Sequence, residues 1–284
     1  MTVTNLLHLI SMQDLNIKED LIPKVEYLQR LFQSKTVIVA FSGGVDSTLL
    51  AHLAQKFSKK SIGVFFQFPF TSPSDISDAK LLASQLGLKL VTIEGKELND
   101  PDFILNSSNR CYYCKKALGA EIISFSQNII DKNKIVVEGT NASEVQGHRP
   151  GKKALLELGI QSPLADANLT KSEIRQLARD FGLPNSEKPS MACLASRIAY
   201  GIEITQDRLT RIAKAEEFLA QKGFQIIRVR DHGNIARVEV GKDERNLFFS
   251  LEMFDQVSKY LKQLDFTYVC LDLDGYRTGA MNEG

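Results

Sequence analysis

The sequence has no long hydrophobic run. Nowhere do apolar residues continue for the roughly 18 to 20 positions that a membrane-spanning helix needs, so we expect no membrane span. The first 16 residues have neither a basic start nor a small-residue cleavage site, and we therefore expect no signal peptide. The charges balance to a net +1, with 35 basic and 34 acidic side chains, which argues against a nucleic-acid-binding or membrane surface.

Cysteine is scarce, with four residues in a chain of 284. This number does not suit a disulfide-stapled fold, so we expect a reducing, cytoplasmic location. Clustered cysteines are then candidates for metal or redox chemistry. With 43% apolar residues the chain can bury a full core, and its length suits one large domain or two ordinary ones.

The chain is organised around a glycine-containing turn, SGGVDS, at residues 42–47. The apolar run at 36–41 predicts a buried parallel strand before this turn, and the residues from Thr48 onward predict a helix after it. Such a turn places backbone N–H groups at the positive end of a helix, an arrangement that suits a phosphate chain. Gly43 and Gly44 can bring the backbone close to a ligand, and the serine hydroxyls add hydrogen-bond donors.

The turn is neither a standard P-loop nor a dinucleotide fingerprint, since no Gly-Lys-Ser/Thr and no Gly-x-Gly-x-x-Gly is present. In its strand–turn–helix setting it resembles the PP-loop of the ATP pyrophosphatase family, whose members split ATP between the α and β phosphates. An acid beside a polyphosphate needs a cation between them, so Asp46 implies magnesium. The alternative is a plain Gly-Ser turn that closes a strand–helix unit. The residues expected to bind ATP are Ser42, Gly43, Gly44, Val45, Asp46, Ser47, Gly139 and Asn141.

Strands alternate with helices through most of the chain, which is typical of a parallel α/β sheet with ligands at the carboxyl ends of its strands. Periodicity and a capping box at 170–173 predict helices at 19–32, 74–86, about 111–130 and after 170, and strands at 36–41, 61–68, 88–93 and 134–139. After residue 200 the pattern is helix, two strands, helix and strand. We therefore predict a PP-loop domain at 1–200 and a smaller α+β domain at 201–284.

Two cysteines form a C-x-x-C, Cys111 and Cys114, at a predicted loop-to-helix junction. The helix dipole and the neighbouring Arg110, Lys115 and Lys116 favour thiolates there. The pair alone is compatible with half of a zinc site, a redox pair or two unconnected thiols. No second C-x-x-C and no histidine pair is present, which disfavours a closed zinc site. A third cysteine would complete a three-thiolate set that leaves one iron of an iron–sulfur cluster open.

The plausible third ligand is Cys193, in the segment MACLASR. On its own it is compatible with a small core residue. Arg197 favours a functional interpretation, because an arginine four positions away could lower the pKa of the thiol or hold a phosphate. The fourth cysteine, Cys270, lies in an apolar strand and is predicted to belong to the core.

Three charged residues after position 200 are candidates for substrate binding. Glu216 falls in the apolar stripe of the helix predicted at 205–222, where a carboxylate needs a partner, although a rim ion pair would also satisfy it. Arg228 and Arg230 are two apart in a predicted strand, so they project from one face and suit a phosphate or carboxylate. The alternative is a solvated face of an edge strand.

Seven motifs carry a closer resemblance, and in chain order they are SGGVDS, NRCYYCKK, EGTNASE, HRPG, KPSMACLASRIAYG, IIRVRDHGNIARVEV and LDLDGYRTGAMN. Together they resemble the LarE sulfur-transfer family, a branch of the PP-loop ATP pyrophosphatases, from about Val37 to the C-terminus. The resemblance implies an ATP-dependent sulfurtransferase that works in making the nickel-pincer nucleotide cofactor. The expected substrate is a pyridinium dicarboxylate mononucleotide, whose carboxylates are adenylated and converted to thiocarboxylates, with pyrophosphate and AMP as the other products.

The resemblance also implies roles for single residues. Family members with one cysteine look sacrificial, because that cysteine loses its sulfur and becomes dehydroalanine. This sequence adds Cys111 and Cys114, so it resembles a three-cysteine type in which they and Cys193 hold a [4Fe-4S] cluster whose open iron carries the sulfur. The catalytic residues would be Cys193, Ser196, Arg197 and Glu216, and those for the substrate phosphate Arg228 and Arg230.

We expect a small nucleotide substrate and sulfide or another sulfur donor as partners, and a homo-oligomer without membrane or nucleic-acid partners. Three alternatives stay open. A tRNA thiolation enzyme would need a basic face or an RNA module, and the near-neutral charge gives no sign of one. An ammonia-using synthetase of the NAD or GMP type would leave the three cysteines unexplained. An ATP-binding regulator would keep the loop without its chemistry.

Overall fold

The computed structural model describes residues 17–68, 71–144, 150–188 and 193–277. The α-helices are α1 (Ile22–Phe32), α2 (Val45–Phe57), α3 (Pro73–Gln85), α4 (Pro101–Ile104), α5 (Arg110–Gln127), α6 (Pro150–Glu157), α7 (Pro163–Asp166), α8 (Lys171–Asp180), α9 (Gln206–Gln221) and α10 (Leu251–Gln263). The strands are β1 (Thr36–Ala40), β2 (Lys60–Gln67), β3 (Lys89–Glu94), β4 (Lys134–Val137), β5 (Ile227–Asp231), β6 (Ile235–Val240) and β7 (Tyr268–Leu271).

The described residues fall into two compact units. The first lies within residues 1–67, 73–94 and 119–190, and the second within 68–72, 95–118 and 191–284. The segment 95–118, which carries the C-x-x-C, therefore packs with the C-terminal unit and not with the sheet that precedes it. A division into domains at residue 200 stays a prediction, and the two compact units do not follow that single cut.

The first unit contains a four-stranded parallel sheet in the order β3-β2-β1-β4. Strand β1 lies inside it, so both of its faces are covered, which is why its sequence is apolar without alternation. Val37 and Val39 pack with α1, α2 and α8 on one face, and Ile38 packs with α5 and α6 on the other. The predicted parallel α/β class is confirmed.

The ends of two helices in this unit bear on the site. Helix α2 begins at Val45, with Gly44 as its N-cap, three residues earlier than its apolar pattern predicts. The predicted capping box is confirmed: the Thr170 backbone N–H donates to Glu173 Oε2 at 2.8 Å, and the Glu173 N–H donates to Thr170 Oγ1 at 3.4 Å. This box fixes the start of α8 and with it the position of Lys171.

The second unit contains a three-stranded sheet in the order β5-β6-β7, with β5 and β6 antiparallel and β6 and β7 parallel. Residues of α9 and α10 pack with its apolar side chains to form one core, which includes Val229, Val238 and Leu261. Among the residues described in either unit, no helix is both long enough and apolar enough to cross a membrane.

The prediction that Cys270 lies in the core is wrong, because its side chain is exposed. Strand β7 is an edge strand whose residues alternate between the two faces of the sheet. Val269 and Leu271 pack against the core, whereas Tyr268 and Cys270 point to the opposite face and are exposed. An apolar tetrapeptide at an edge therefore hides a cysteine that is only half enclosed by the fold.

A buried carboxylate ties α9 to the β5–β6 turn. Asp231 is fully buried and accepts hydrogen bonds from Arg208 Nη1 at 2.9 Å and from Arg211 Nη2 at 2.6 Å. The backbone N–H of Gly233 also donates to it, at 2.9 Å. Three donors from two elements converge on this one carboxylate, which balances the cost of burying it.

We predict that Asp231→Ala lowers the free energy of unfolding by about 3 kcal/mol, because it leaves two guanidinium groups facing each other without their shared anion. The measurement is urea denaturation followed by circular dichroism. Asp207→Ala, which removes an exposed carboxylate of α9, is the matched control and should change stability by less than about 0.5 kcal/mol. Equal urea midpoints for the two variants would contradict the assignment.

Candidate active site

The SGGVDS turn connects β1 to α2 in the first unit. Gly43 has φ +73, a conformation that favours glycine, and Gly44 caps the helix. Ser47 Oγ donates to the Gly44 carbonyl at 3.1 Å and accepts from the Ser42 N–H at 3.2 Å, so the loop closes on the first turn of the helix. A Cβ atom on Gly139 would lie 3.1 Å from the backbone nitrogen of Ser47, so only glycine allows this approach after β4.

Asp46 stands in that first helical turn with two polar neighbours. Its carboxylate pairs with the ammonium group of Lys171 and accepts a hydrogen bond from Asn141 Nδ2 at 3.2 Å. Asn141 is fully buried, and its Oδ1 atom has no hydrogen-bond partner among the residues that the structure describes. The oxygens of Asp46 and Asn141 are the donors that magnesium prefers, so this residue set fits the predicted magnesium.

Two residues at the loop were missed by the sequence analysis. Lys171 was assigned only to a capping box, yet its side chain brings a positive charge to Asp46. Asn185 donates through Nδ2 to the Gly43 carbonyl at 3.1 Å and to Thr48 Oγ1 at 2.9 Å, which fixes the glycine turn from behind. A lysine directly after a helix cap was the available signal for the first, whereas nothing in the local sequence marks the second.

The three predicted sulfur-site cysteines belong to the second unit. Cys111 and Cys193 are exposed, and Cys114 is partly buried in the first turns of α5. Their charges interact, since Cys193 and Cys111 both raise the pKa of Cys114, and Cys111 raises that of Cys193. The described residues contain no ready-made group of three or more His, Cys, Asp or Glu side chains that could hold a metal ion.

The thiol pKa values differ from the expectation. Burial is the largest influence on Cys114 and raises its pKa far above the ordinary value, against a smaller opposite effect of Lys115. Cys193 keeps an exposed surface, but the protein packed around its inner side raises its pKa through desolvation more than Arg110 and Arg197 lower it. The prediction that cations and the helix dipole favour thiolates is therefore wrong for these two residues when no metal is bound.

The turn after Cys193 is held by its own side chains. The Cys193 carbonyl accepts from Ser196 Oγ at 2.7 Å and from Arg197 Nη1 at 3.1 Å. Arg197 is buried and pairs with Glu216 through Nε at 3.0 Å and Nη2 at 3.2 Å. Glu216 in turn accepts from the Val229 N–H at 3.0 Å. The structure thus brings Ser196, Arg197 and Glu216 together at Cys193, and their catalytic roles stay a prediction.

The two strand arginines lie on the polar face of β5. Arg230 is buried, donates to Glu239 Oε2 at 2.8 Å and to the Ser196 carbonyl at 3.3 Å, and its Nε has no partner among the described residues. Arg228 lies 5.0 Å from the ring centroid of Tyr276. Burial, followed by the nearby Arg197, lowers the pKa of Arg228. Arginines this close together repel unless an anion joins them, which is a physical reason to expect one here.

Parts of three predicted motifs, at 145–149, 189–192 and 278–284, lie outside the described residues. The glycine turn, the parallel sheet and Asp46 in the first helical turn define an α/β protein of the PP-loop class. Residues 20–145 match the NAD synthase family. An NH(3)-dependent NAD(+) synthetase of Thermococcus sibiricus is 30% identical over 55% of this chain and 62% of its own length.

Two relatives match nearly the whole chain. The pyridinium-3,5-bisthiocarboxylic acid mononucleotide synthase of Lactiplantibacillus plantarum is 32% identical over 94% of both chains. An uncharacterised protein of Synechocystis sp. is 33% identical over 91% of this chain and 97% of its own. The chain belongs to the LarE family, the family of that synthase, and is an enzyme of the ATP-using PP-loop class.

We predict that, without bound metal, alkylation of Cys114 and Cys193 by iodoacetamide is slow near neutral pH and still rises above pH 9.0, the ordinary thiol pKa. The reason is that only the thiolate reacts, and a raised pKa keeps the thiol protonated to higher pH. Peptide mass spectrometry measures each site separately, with exposed Cys270 as the internal reference. Half-maximal alkylation of Cys193 below pH 9 would contradict the burial effect.

Proposed function

We propose that this protein is an ATP-dependent sulfur transferase that converts the carboxylates of a pyridinium dicarboxylate mononucleotide to thiocarboxylates. The main support is the match over 94% of the chain to the synthase whose name states that product class. A second support is internal to the chain, because the loop of the first unit suits a triphosphate and the second unit gathers arginines and cysteines. The sulfur donor and a homo-oligomeric state belong to the same proposal.

The first chemical step is activation of a carboxylate. A substrate carboxylate oxygen attacks the α-phosphorus of ATP, the bond to the β-phosphate oxygen breaks, and pyrophosphate leaves. Backbone N–H groups at Gly43 and Gly44 and the Lys171 ammonium stabilise the charge that develops on the phosphates. Asp46 and Asn141 would hold magnesium, which when bound neutralises phosphate charge and aligns the leaving group.

The second step transfers sulfur. Sulfide attacks the acyl carbon of the adenylate, the bond to the AMP oxygen breaks, and AMP and a thiocarboxylate are released. Arg228 and Arg230 bind the phosphate of the substrate, a role supported by the buried Nε of Arg230 that has no partner among the described residues. Arg197, fixed by Glu216, keeps the Cys193 turn in place during the exchange.

The residues fit a [4Fe-4S] cluster in donor type and in local charge. Three thiols with mutually raised pKa values gain a counter-charge when iron replaces their protons, and Arg110 and Lys115 offset the negative charge of the thiolates. A cluster is also wider than a single ion, so its ligands stand further apart than those of a mononuclear site. When bound, a cluster with one open iron supplies an exchangeable sulfide. Its ligands would be Cys111, Cys114 and Cys193.

Two other functions have some support. Partial similarity to a glutamine-hydrolyzing GMP synthase of Methanocaldococcus jannaschii, 28% identical over 57% of this chain and 55% of its own, favours an ammonia-using synthetase, but that similarity leaves much of the chain uncovered. A sacrificial mechanism, in which Cys193 alone gives up its sulfur, would need neither Cys111 nor Cys114. A tRNA thiolation enzyme would bind RNA with an affinity that falls steeply with salt, and the net charge of +1 does not favour it.

We predict that the enzyme, given ATP and the dicarboxylate mononucleotide, releases AMP and pyrophosphate in equal amounts. Lys171→Met should slow this release by about 100-fold, because it removes a charge that stabilises the transition state. Lys24→Met is the matched control: Lys24 contacts the same helix through Glu173, at 2.7 Å, and carries no role at the loop. Coupled pyrophosphate detection and nucleotide chromatography measure both products, and ADP as the main product would contradict the proposal.

We predict that anaerobic reconstitution with iron and sulfide gives the wild-type protein a visible charge-transfer band and bound iron and sulfide. Cys193→Ala should weaken or abolish that band, since it removes one of three thiolate ligands. Cys270→Ala removes the exposed cysteine of β7 and should leave the band unchanged. Wild-type protein without iron or sulfide after reconstitution would favour the sacrificial mechanism instead.

A further inference from the structure

Asn106 is a buried residue in an unusual backbone conformation, and it faces the turn that follows Cys193. It has φ +52 and no exposed surface. Its Nδ2 group donates to the carbonyls of Ala199 and Ile202, both at 2.9 Å, and to that of Ile198 at 3.3 Å. Left-handed backbone is tolerated by asparagine but strained for most side chains, so this position serves a specific geometry.

Arg110 completes the contact from the other side. It is the first residue of α5, directly before Cys111, and it is buried. Its Nη1 donates to Asn106 Oδ1 at 2.6 Å and to the carbonyl of Ala195 at 3.0 Å, and its guanidinium lies 4.8 Å from the ring centroid of Tyr200. The segment before the C-x-x-C is therefore hydrogen-bonded to the backbone two residues after Cys193.

The surroundings make these hydrogen bonds hard to replace by water. Phe103, Ala195, Ile198 and Ile204 form an apolar cluster at the same place, and Cys114 packs against it. Carbonyl groups buried in such a cluster lose free energy when their donor is removed. Breaking the contact therefore has two results: buried carbonyls lose their donors, and the Cys193 turn loses its tether to α5.

We propose that Asn106 and Arg110 are positioning residues that hold Cys193 beside Cys111 and Cys114, so that the three thiols act as one site for soft, thiol-seeking ions. The inference rests on the proposed function only in treating these cysteines as a set. It names two residues that touch neither ATP nor substrate and that no sulfur chemistry would single out. The site binds such ions by its thiolates, and the two residues act through the geometry of the turn.

Arsenite tests the inference without ATP, iron or substrate, because trivalent arsenic binds three thiolates at once. Wild-type full-length protein should bind one arsenic per chain and leave only Cys270 open to thiol reagents. Asn106→Asp replaces the donor with an oxygen that repels the three carbonyls. It should weaken arsenite binding by about 10- to 100-fold, the range usual for partners outside the ligand set, and leave a second thiol free.

Asn168→Asp is the matched control, since Asn168 also has φ +52 but is exposed and lies in the first unit. Thermal unfolding is measured for every variant. If Asn106→Asp does not fold, Arg110→Lys decides the question, because it keeps the charge and loses the forked donor geometry. A folded Asn106→Asp or Arg110→Lys that binds arsenite like the wild type overturns the proposal, as does a wild type that engages only two thiols.

This readout separates the inference from the proposed function. A wild-type protein that makes no thiocarboxylate but binds arsenite through three thiols, with weaker binding in Asn106→Asp, would overturn the function and support the positioning role. A protein that makes the thiocarboxylate equally well in the wild type and in a folded Asn106→Asp, with equal arsenite binding, would support the function and overturn the role.

Discussion

The buried guanidinium of Arg110 joins two segments that are 85 residues apart in the chain. Without that contact the C-x-x-C would sit at the start of a helix and the third cysteine in a separate turn. With it, the thiols of both segments share one environment and influence one another's pKa. The same cation lies next to the carbonyls of the turn and offsets the negative charge that thiolates would bring. Cofactor loading and sulfur transfer in the proposed function both depend on this single tie.

Burial decides the chemical state of the thiols before anything binds. Sequence neighbours such as Lys115 suggested thiolates, but desolvation outweighs them at Cys114 and Cys193. A protonated, partly enclosed thiol is protected from casual oxidation and alkylation, and it becomes a ligand when a metal displaces its proton. The raised pKa values are therefore consistent with a site that waits for iron rather than with a free nucleophile.

The fold was largely predictable because its signals are local and strong. The unbroken apolar stretch of β1, the glycine turn and the capping box at Thr170 each depend on a few neighbouring residues, and all three were found. The limits of helix α2 were less certain, since Asp46 and Ser47 are polar in the first turn and mask its start. Cys270 was misplaced because the apolar pattern of a strand does not reveal that it lies at an edge.

The site was predictable in its ligands but not in its supports. Ser196, Arg197 and Glu216 could be proposed from a family resemblance, and the structure does bring them together. Lys171, Asn185 and Asn106 could not, because each acts through a contact between segments far apart in sequence. A long-range hydrogen bond leaves no periodicity, spacing or composition to detect. The family match fixes the class of enzyme, and the contacts around Cys193 suggest how this chain performs the reaction.

The most direct test of the account counts product molecules. Under anaerobic conditions, with ATP, the dicarboxylate nucleotide and excess sulfide, the reconstituted enzyme should form more than one thiocarboxylate per chain. Intact-protein mass spectrometry should then show Cys193 unchanged. A yield that stops at one thiocarboxylate or fewer per chain, with Cys193 converted to dehydroalanine, would contradict it.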